Sequence, residues 1–252
     1  MKYPCLCCGY QTLTQTPPGT WDICPVCFWE DLPAGWRQEA TGISLRQGQT
    51  NFLAFGACSA DWIAEVRSPA PTEARPHNWQ TLAEQETVRR TSLIQGITQA
   101  FADVARGDGI TLHQARVLDD YGSPEEEAKA RLLDTDTRWW EVPDQWIAEF
   151  SEALNFVDPP GFCYYLPAYM IWTLNHMGHT NSFTADATIY SLYVHKGSEQ
   201  WRRPYFAILS PAQSTVVCQF LKYVVWLGED FADIEIAQKA LDQRWSQFCN
   251  PD

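Results

Sequence analysis

The 252-residue sequence has few basic residues for its length. It contains 18 Lys and Arg against 31 Asp and Glu, which gives a formal net charge of −13. Because neutralising a phosphate backbone takes clustered Lys and Arg, this shortage argues against a nucleic-acid-binding protein and against docking on an anionic membrane surface. A zinc-ribbon adaptor for nucleic acid would need a local basic patch in the first 76 residues, where the five basic residues are dispersed.

Long hydrophobic runs and common enzyme motifs are also missing. The most apolar stretch, residues 161–174, is too short and too aromatic for a membrane span. Residues 1–5 enter a cysteine motif without the apolar region of a signal peptide. The sequence has no G-x-G-x-x-G, Walker A or G-x-S-x-G pattern, which disfavours nucleotide-binding and hydrolase folds. We therefore expect a soluble cytoplasmic protein whose cysteines are reduced or metal-bound, without disulfides.

Cysteine is concentrated at the start of the chain, with five of nine cysteines in the first 27 residues. Two C-x-x-C pairs, Cys5/Cys8 and Cys24/Cys27, are separated by 15 residues. Each pair places two thiolates on one tight turn, and two such knuckles form a tetrahedral cage that suits Zn²⁺. A closed four-thiolate cage leaves no position for water or substrate. The spacing therefore predicts one structural zinc ion.

The remaining cysteines leave alternatives open. Cys7 either replaces Cys8 as a ligand, which shortens the knuckle to a less favourable C-x-C, or is a free thiol beside the metal. An iron–sulfur or redox role is the other reading of the whole cluster. The four cysteines outside the cluster are expected to be bystanders, with Cys163 and Cys218 as inert core thiols.

A proline-rich stretch suggests two domains. Three prolines lie between residues 68 and 76, where neither a helix nor a central strand can continue. We predict a cysteine-rich zinc-binding domain over residues 1–67, a linker over 68–80 and an acidic, mainly helical domain over 81–252. Residues 1–76 carry a net charge of −2 and residues 77–252 a net charge of −11. The predicted fold is a small zinc-ribbon-like, metal-stapled module plus a mainly α-helical domain.

Capping signals place the helices of the second domain. Ser-Pro-x-Glu at residues 123–126 and Ser-Pro-x-Gln at residues 210–213 combine an N-cap, a proline at the first helical position and a capping box. A helix starting at Asp158 is expected to be bent or interrupted at Pro167. The predicted helices are 81–106, 111–121, one from 124, 143–154, one from 159, 185–195, 213–227 and 230–245.

Each half of the sequence resembles a known family. Residues 3–13, 22–31 and 51–57 resemble the bacterial CPCC-type cysteine-rich domain, although Leu6 stands where that motif has proline. The resemblance implies a zinc-ribbon-like fold without a known reaction. Residues 86–250 resemble an uncharacterised bacterial helical domain, on the strength of residues 110–121, 139–146 and 156–170. Small bacterial proteins of this kind are similar to immunity or accessory proteins of toxin systems.

The expected function is non-enzymatic binding. Acidic side chains would steer a basic protein partner, such as a toxin domain, and aromatic side chains would provide affinity. The candidate partner-binding residues are Asp119, Asp120, Trp139, Trp140 and Trp146.

The alternative is a metal-dependent enzyme in the helical domain. It would use the H-x-x-H pair His176 and His179 with Asp158 or Asp186. Against this, the pair lacks the glutamate of H-E-x-x-H, and Gly178 suggests that the helix ends between the two histidines.

Overall fold

The structure, a computed structural model, describes residues 2–33, 42–177, 183–228 and 233–249. The chain divides into two compact units, residues 1–88 and 89–252. The division falls between Val88 and Arg89, inside a helix. Residues 68–80, which the sequence predicts as a linker, therefore lie within the smaller unit.

The smaller unit is built around its cysteines. Strands β1 (Tyr3–Pro4) and β2 (Gln11–Leu13) form an antiparallel pair, and helix α1 (Leu45–Phe55) follows. A short 3-10 turn spans Ala60–Trp62, and helix α2 (Leu82–Ala100) begins in this unit. The buried core consists mostly of sulfur and aromatic groups: Cys5, Cys7, Cys8, Leu13, Cys24, Val26, Cys27, Trp29 and Cys58.

The proline-rich segment is held against this unit by charged side chains. Arg67 forms a bidentate ion pair with Glu73, at 2.7 and 2.8 Å. The Arg75 guanidinium lies 4.7 Å from the Tyr10 ring and 4.5 Å from the Trp79 ring, so the cation–π contact with Tyr10 ties the segment to the cysteine-containing hairpin. Prolines prevent regular structure here, but these contacts give the segment a defined path. This is how the structure differs from the linker that composition predicts.

The larger unit is helical, as the sequence predicts. In the described ranges, no helix reaches both the length and the hydrophobicity of a bilayer-spanning helix. Short 3-10 turns lie at Trp139–Glu141, Ala153–Asn155 and Trp245–Phe248. After α2, the helices are α3 (Leu112–Asp119), α4 (Pro124–Arg131), α5 (Asp144–Glu149), α6 (Pro159–His176), α7 (Thr184–Ser191), α8 (Glu199–Ala207), α9 (Pro211–Leu227) and α10 (Ile234–Gln243).

The predicted capping signals are confirmed. Ser123 with Glu126, and Ser210 with Gln213, form reciprocal capping boxes at the starts of α4 and α9. Asp158 caps α6 by accepting the Gly161 N–H. These starts depend on contacts between residues three positions apart, which explains why the sequence alone locates them.

Helix α6 is the centre of the larger unit, and 13 of its 18 residues are buried. It continues through Pro167, so of the predicted bend or interruption, the interruption does not occur. Proline removes one backbone hydrogen bond, but a helix packed on all sides retains its path through the surrounding contacts. The aromatic residues of this helix, among them Tyr164, Tyr165 and Tyr169, are fully buried core residues.

Other helix boundaries differ from the sequence prediction. Helix α2 ends at Ala100, because the fully buried Phe101 begins a turn into the core. The helix predicted over 143–154 ends at Glu149 and is followed by a separate 3-10 turn. Helix α8 was not predicted from the sequence. Pro204 lies inside it, and its one buried residue, Phe206, gives no hydrophobic periodicity among the charged residues. The predicted start of the last helix, at residue 230, lies outside the described residues.

A buried ion pair that the sequence does not reveal lies beside α6. Arg106 Nη1 donates to Asp136 Oδ2 at 2.7 Å and to the Tyr165 hydroxyl at 2.8 Å. The Tyr164 hydroxyl donates to the same carboxylate oxygen at 2.8 Å. Burial raises the pKa of both tyrosines, so both hydroxyls stay protonated. This network joins loop residues that are far apart in the sequence.

The expectation that the chain has no disulfide is wrong. Cys218 in α9 and Cys249 after the last 3-10 turn are joined by a disulfide across a sequence separation of 31, with their Cα atoms 5.6 Å apart. Spacing along the chain could not reveal this, because the pair meets only when the C-terminal turn packs against α9. Cys163 is a buried free thiol, as predicted.

Candidate metal centre

The first cysteine pair lies in the loop of the β1–β2 hairpin. The Cys5 N–H donates to the Tyr10 carbonyl at 2.9 Å, and the Gly9 N–H donates back to the Cys5 carbonyl at 2.8 Å. Gly9 has a φ of 78°, in the left-handed region that glycine adopts without strain. These bonds close a tight turn that carries both the Cys5 and the Cys8 thiol.

The second pair has the same backbone pattern. The Cys24 N–H donates to the Trp29 carbonyl at 2.9 Å, and the Phe28 N–H donates to the Cys24 carbonyl at 2.8 Å. Phe28 also has a positive φ, 63°, although it is not glycine. The Cys27 thiol therefore stands relative to Cys24 as the Cys8 thiol stands relative to Cys5.

The two knuckles bring four thiols together. The Sγ atoms of Cys5 and Cys27 are 3.7 Å apart, and those of Cys8 and Cys24 are 3.6 Å apart. All four Sγ atoms lie within 4.8 Å of one another, and all four residues are buried. A tetrahedral site with Zn–S bonds of about 2.3 Å needs sulfur atoms about 3.8 Å apart. The tetrad therefore fits one tetrahedral metal ion.

Hydrogen bonds within the tetrad shift the pKa values of three of its thiols. Hydrogen bonding to Cys24 holds the pKa of Cys8 and of Cys27 above the usual range. Hydrogen bonds donated by Cys27 and Cys5 hold the pKa of Cys24 below it. Without a metal, these hydrogen bonds favour negative charge at the Cys24 sulfur and keep the Cys8 and Cys27 thiols protonated. A bound divalent ion would allow all four thiols to ionise.

Residues outside the C-x-x-C motifs support the knuckles. The Cys58 N–H donates to the Cys27 carbonyl at 2.6 Å. Gln49, which is 4% exposed, donates to the Leu6 carbonyl at 2.9 Å and accepts the Leu82 N–H at 2.8 Å. Sequence reasoning treated Cys58 as a bystander and missed Gln49. The motif spacing gave no signal for either, because both act through contacts distant in the sequence.

Cys7 lies outside the tetrad although it is fully buried. Its Sγ lies 3.5 Å from the position that a Cβ would occupy at Gly48, on helix α1. The geometry therefore favours the free-thiol reading of Cys7, with Cys8 as the ligand.

The candidate partner-binding tryptophans differ in exposure. Trp139 is 2% exposed and donates its indole N–H to the Phe101 carbonyl at 2.9 Å, so its ring belongs to the core and cannot meet a partner. Trp140 is 46% exposed. Trp146 is partly buried against the His113 ring, with ring centroids 4.8 Å apart.

The two candidate carboxylates lie at the end of α3. Asp120 is exposed and pairs with Arg116 at 2.9 Å, while Asp119 is partly exposed. Whether these groups bind a partner stays a prediction.

Among the described residues, the structure does not bring the candidate metal ligands of the enzyme site together. His176 Nδ1 lies 2.9 Å from a carbonyl one turn earlier in α6, and its Nε2 lies 3.7 Å from Asp144. His179 lies outside the described residues. Asp158 and Asp186 each accept a backbone N–H, at 2.8 and 3.1 Å. In the described part of the chain, the cysteine tetrad is the only cluster of three or more potential metal ligands.

The fold and the tetrad define a cysteine-rich module, with four cysteines placed as in a metal-binding site, joined to a helical domain. Comparison with family models agrees with this division. Residues 3–73 match the cysteine-rich CPCC family, and residues 89–249 match a family of unknown function, DUF6714. The second match covers more than half of the chain, so the protein belongs to the DUF6714 family. Neither a curated protein nor a solved structure matches the chain.

Proposed function

We propose that this is a non-enzymatic binding protein, of the kind that serves as an immunity or accessory protein. A structural zinc ion staples its cysteine-rich module, and its acidic helical unit docks a basic protein partner, such as a toxin domain. The observation that carries the proposal is an exposed aromatic residue set among acidic side chains at the α3–α4 turn.

Tyr121 forms the centre of this surface. It is 96% exposed and has a φ of 57°, a conformation that costs about 1–2 kcal/mol for a residue other than glycine. The turn therefore presents a large aromatic ring to solvent. Tyrosine is enriched among the residues that dominate protein interfaces, because it buries a large area and keeps a polar end.

Acidic side chains flank Tyr121 on both sides along the chain. Asp119 and Asp120 precede it, and residues 125–127 are three consecutive glutamates in the first turn of α4. Glu126 is engaged in the Ser123 capping box. In the described chain, Asp119 and the other two glutamates have no ion-pair partner, so their charge is available to a basic surface.

Charge on this surface acts mainly on the rate of encounter. Acidic groups steer a basic partner over long range, and salt screens that attraction. The aromatic ring acts after contact, by burial, and therefore controls the rate of dissociation. The proposal thus separates the roles of the acids and of Tyr121.

Affinity capture with the zinc-loaded full chain from its native host tests this proposal. The surface variant carries Asp119→Asn, Glu125→Gln and Glu127→Gln, and a second variant carries Tyr121→Ala. The matched control removes three exposed acids elsewhere in the same unit: Asp103→Asn, Glu235→Gln and Asp242→Asn.

We expect the wild-type and control proteins to retain a partner of high pI that both surface variants lose. With that partner purified, the triple variant should associate at least about tenfold more slowly at low salt. Tyr121→Ala should instead dissociate faster. An acidic partner, or equal binding by all four proteins, would overturn the proposal.

A further inference from the structure

A cavity of about 470 Å³ in the larger unit has an unusual lining for such an acidic domain. Arg203 of α8 and Arg244 at the end of α10 both line it, together with the amides of Gln243 and Gln247. Glu199 is the one acidic residue in this lining. The volume lies within the range of about 300–1,000 Å³ that is typical of small-molecule sites.

The Arg244 guanidinium is packed among rings but poorly satisfied. It lies 5.4 Å from the ring centroids of Phe206, Trp245 and Phe248. Its one hydrogen bond within the described chain is a long one, from Nη2 to the Phe206 carbonyl at 3.5 Å. Its Nε atom is buried without a partner. A guanidinium has five N–H donors, so most of the donors of Arg244 are unused.

Burial without an ion pair destabilises the charged form of this group, which lowers the pKa of Arg244. Within the described ranges, no carboxylate lies within 4.0 Å of the Arg203 or Arg244 guanidinium. Hydrogen bonds from its own backbone N–H and that of Gly197 lower the pKa of Glu199, so its carboxyl group is negatively charged, but it forms no ion pair with either guanidinium in the described chain. Two arginines and one glutamate therefore line the cavity, which has a net positive charge, and neither guanidinium has an ion-pair partner in the described chain.

We propose that this cavity binds the oxyanion group, carboxylate or phosphate, of a small molecule. The planar guanidinium of Arg244 would hold the oxyanion through two parallel hydrogen bonds, and the rings around it fix its orientation. Arg203 supplies a second positive charge. The Gln243 amide oxygen accepts the Val194 N–H at 3.3 Å, which leaves its NH₂ group to donate. This site is independent of the acidic docking surface.

Titration calorimetry of the zinc-loaded full chain at constant ionic strength tests the site. The probes are inorganic phosphate and succinate, and the neutral diamide of succinate is the uncharged comparison. The variants are Arg203→Gln and Arg244→Gln. Arg202→Gln is the matched control, because it removes the same charge one position away, from a side chain that lines a different cavity.

One of the two oxyanions should bind with a 1:1 stoichiometry, and the neutral diamide should not bind. Arg203→Gln and Arg244→Gln should each weaken binding about tenfold or more, and Arg202→Gln less than about twofold. If Arg244→Gln does not fold, the binding measured for Arg203→Gln decides the result, because Arg203 is exposed. No saturation by either anion up to about 10 mM, or an equal loss with Arg202→Gln, would overturn the proposal.

Discussion

Gly9 and Phe28 occupy the same position in the two cysteine knuckles. Each donates its backbone N–H to the carbonyl of the first cysteine of its pair at 2.8 Å, and each has a positive φ, of 78° and 63°. Their surroundings differ. The Trp79 ring leaves no room for a side chain at position 9, whereas the Phe28 ring stacks on Trp62 with centroids 4.5 Å apart. The same positive φ is therefore adopted by a glycine in one knuckle and by a phenylalanine in the other.

Replacing Gly9 by alanine should destabilise the small unit for two separate reasons. The new Cβ would lie 2.6–2.7 Å from the Trp79 ring, and the residue would retain a left-handed φ. Gly56→Ala is the matched control, since Gly56 has a φ of 84° and nothing within 4 Å of its Cβ position. We expect losses of about 1 kcal/mol for Gly56→Ala and about 2–4 kcal/mol for Gly9→Ala in chemical denaturation of the zinc-loaded protein. Equal losses would show that Trp79 does not restrict this position.

At Phe28, substitution by glycine should destabilise the protein less than substitution by alanine. Alanine loses the stacking on Trp62 and keeps the strained φ, whereas glycine loses the stacking but relieves the strain. We expect Phe28→Ala to be less stable than Phe28→Gly by about 1 kcal/mol, measured by chemical denaturation. A more stable alanine variant would contradict the strain at this position.

The Cys218–Cys249 disulfide should contribute directly to the stability of the helical unit. Closing a loop of this length stabilises a protein by about 3–4 kcal/mol. Cys218→Ala should lower the free energy of unfolding by that amount under non-reducing conditions. The buried free thiol Cys163 provides the control, since Cys163→Ala should cost less. Identical unfolding of reduced and non-reduced wild-type protein would contradict this pairing.

Cys163 should resist alkylation in the folded protein. Burial raises the pKa of its thiol to about 11, so the reactive thiolate is scarce at pH 8 and increases only as the pH approaches that value. In the unfolded chain the pKa returns to about 8.5. Iodoacetamide labelling followed by peptide mass spectrometry should show slow modification of Cys163 at pH 8 and rapid modification in denaturant. Equal rates in the two conditions would refute the effect of burial.

The sequence was informative where the determining contacts are local. The pairs Cys5/Cys8 and Cys24/Cys27 and the capping box at Ser123 each involve residues three positions apart, so spacing alone predicts them. The hydrogen bond from Cys58 to Cys27 joins residues that meet only after folding, as do the two halves of the disulfide. Such pairings depend on how whole elements pack, which a single sequence does not encode as a pattern.

Three features of the helical unit were not predicted from the sequence, for a similar reason. Arg106 and Asp136 come from separate loops, and neither has a neighbour in the sequence that suggests an ion pair. Helix α8 contains Pro204 and has a charged first half, so its single buried aromatic residue gives little periodicity. Composition located the acidic charge of the unit but not the exposed Tyr121, because exposure depends on the turn that carries it.

The most direct test of the central claim is elemental analysis of the purified chain together with two matched cysteine variants. Cys24 and Cys7 are both buried thiols of one cluster, but only Cys24 belongs to the tetrad. We expect one zinc per wild-type chain, the same content in Cys7→Ser, and loss of the metal with unfolding of the small unit in Cys24→Ser. A wild-type protein without zinc, or a Cys24→Ser variant that retains it, would contradict a structural zinc site in this tetrad.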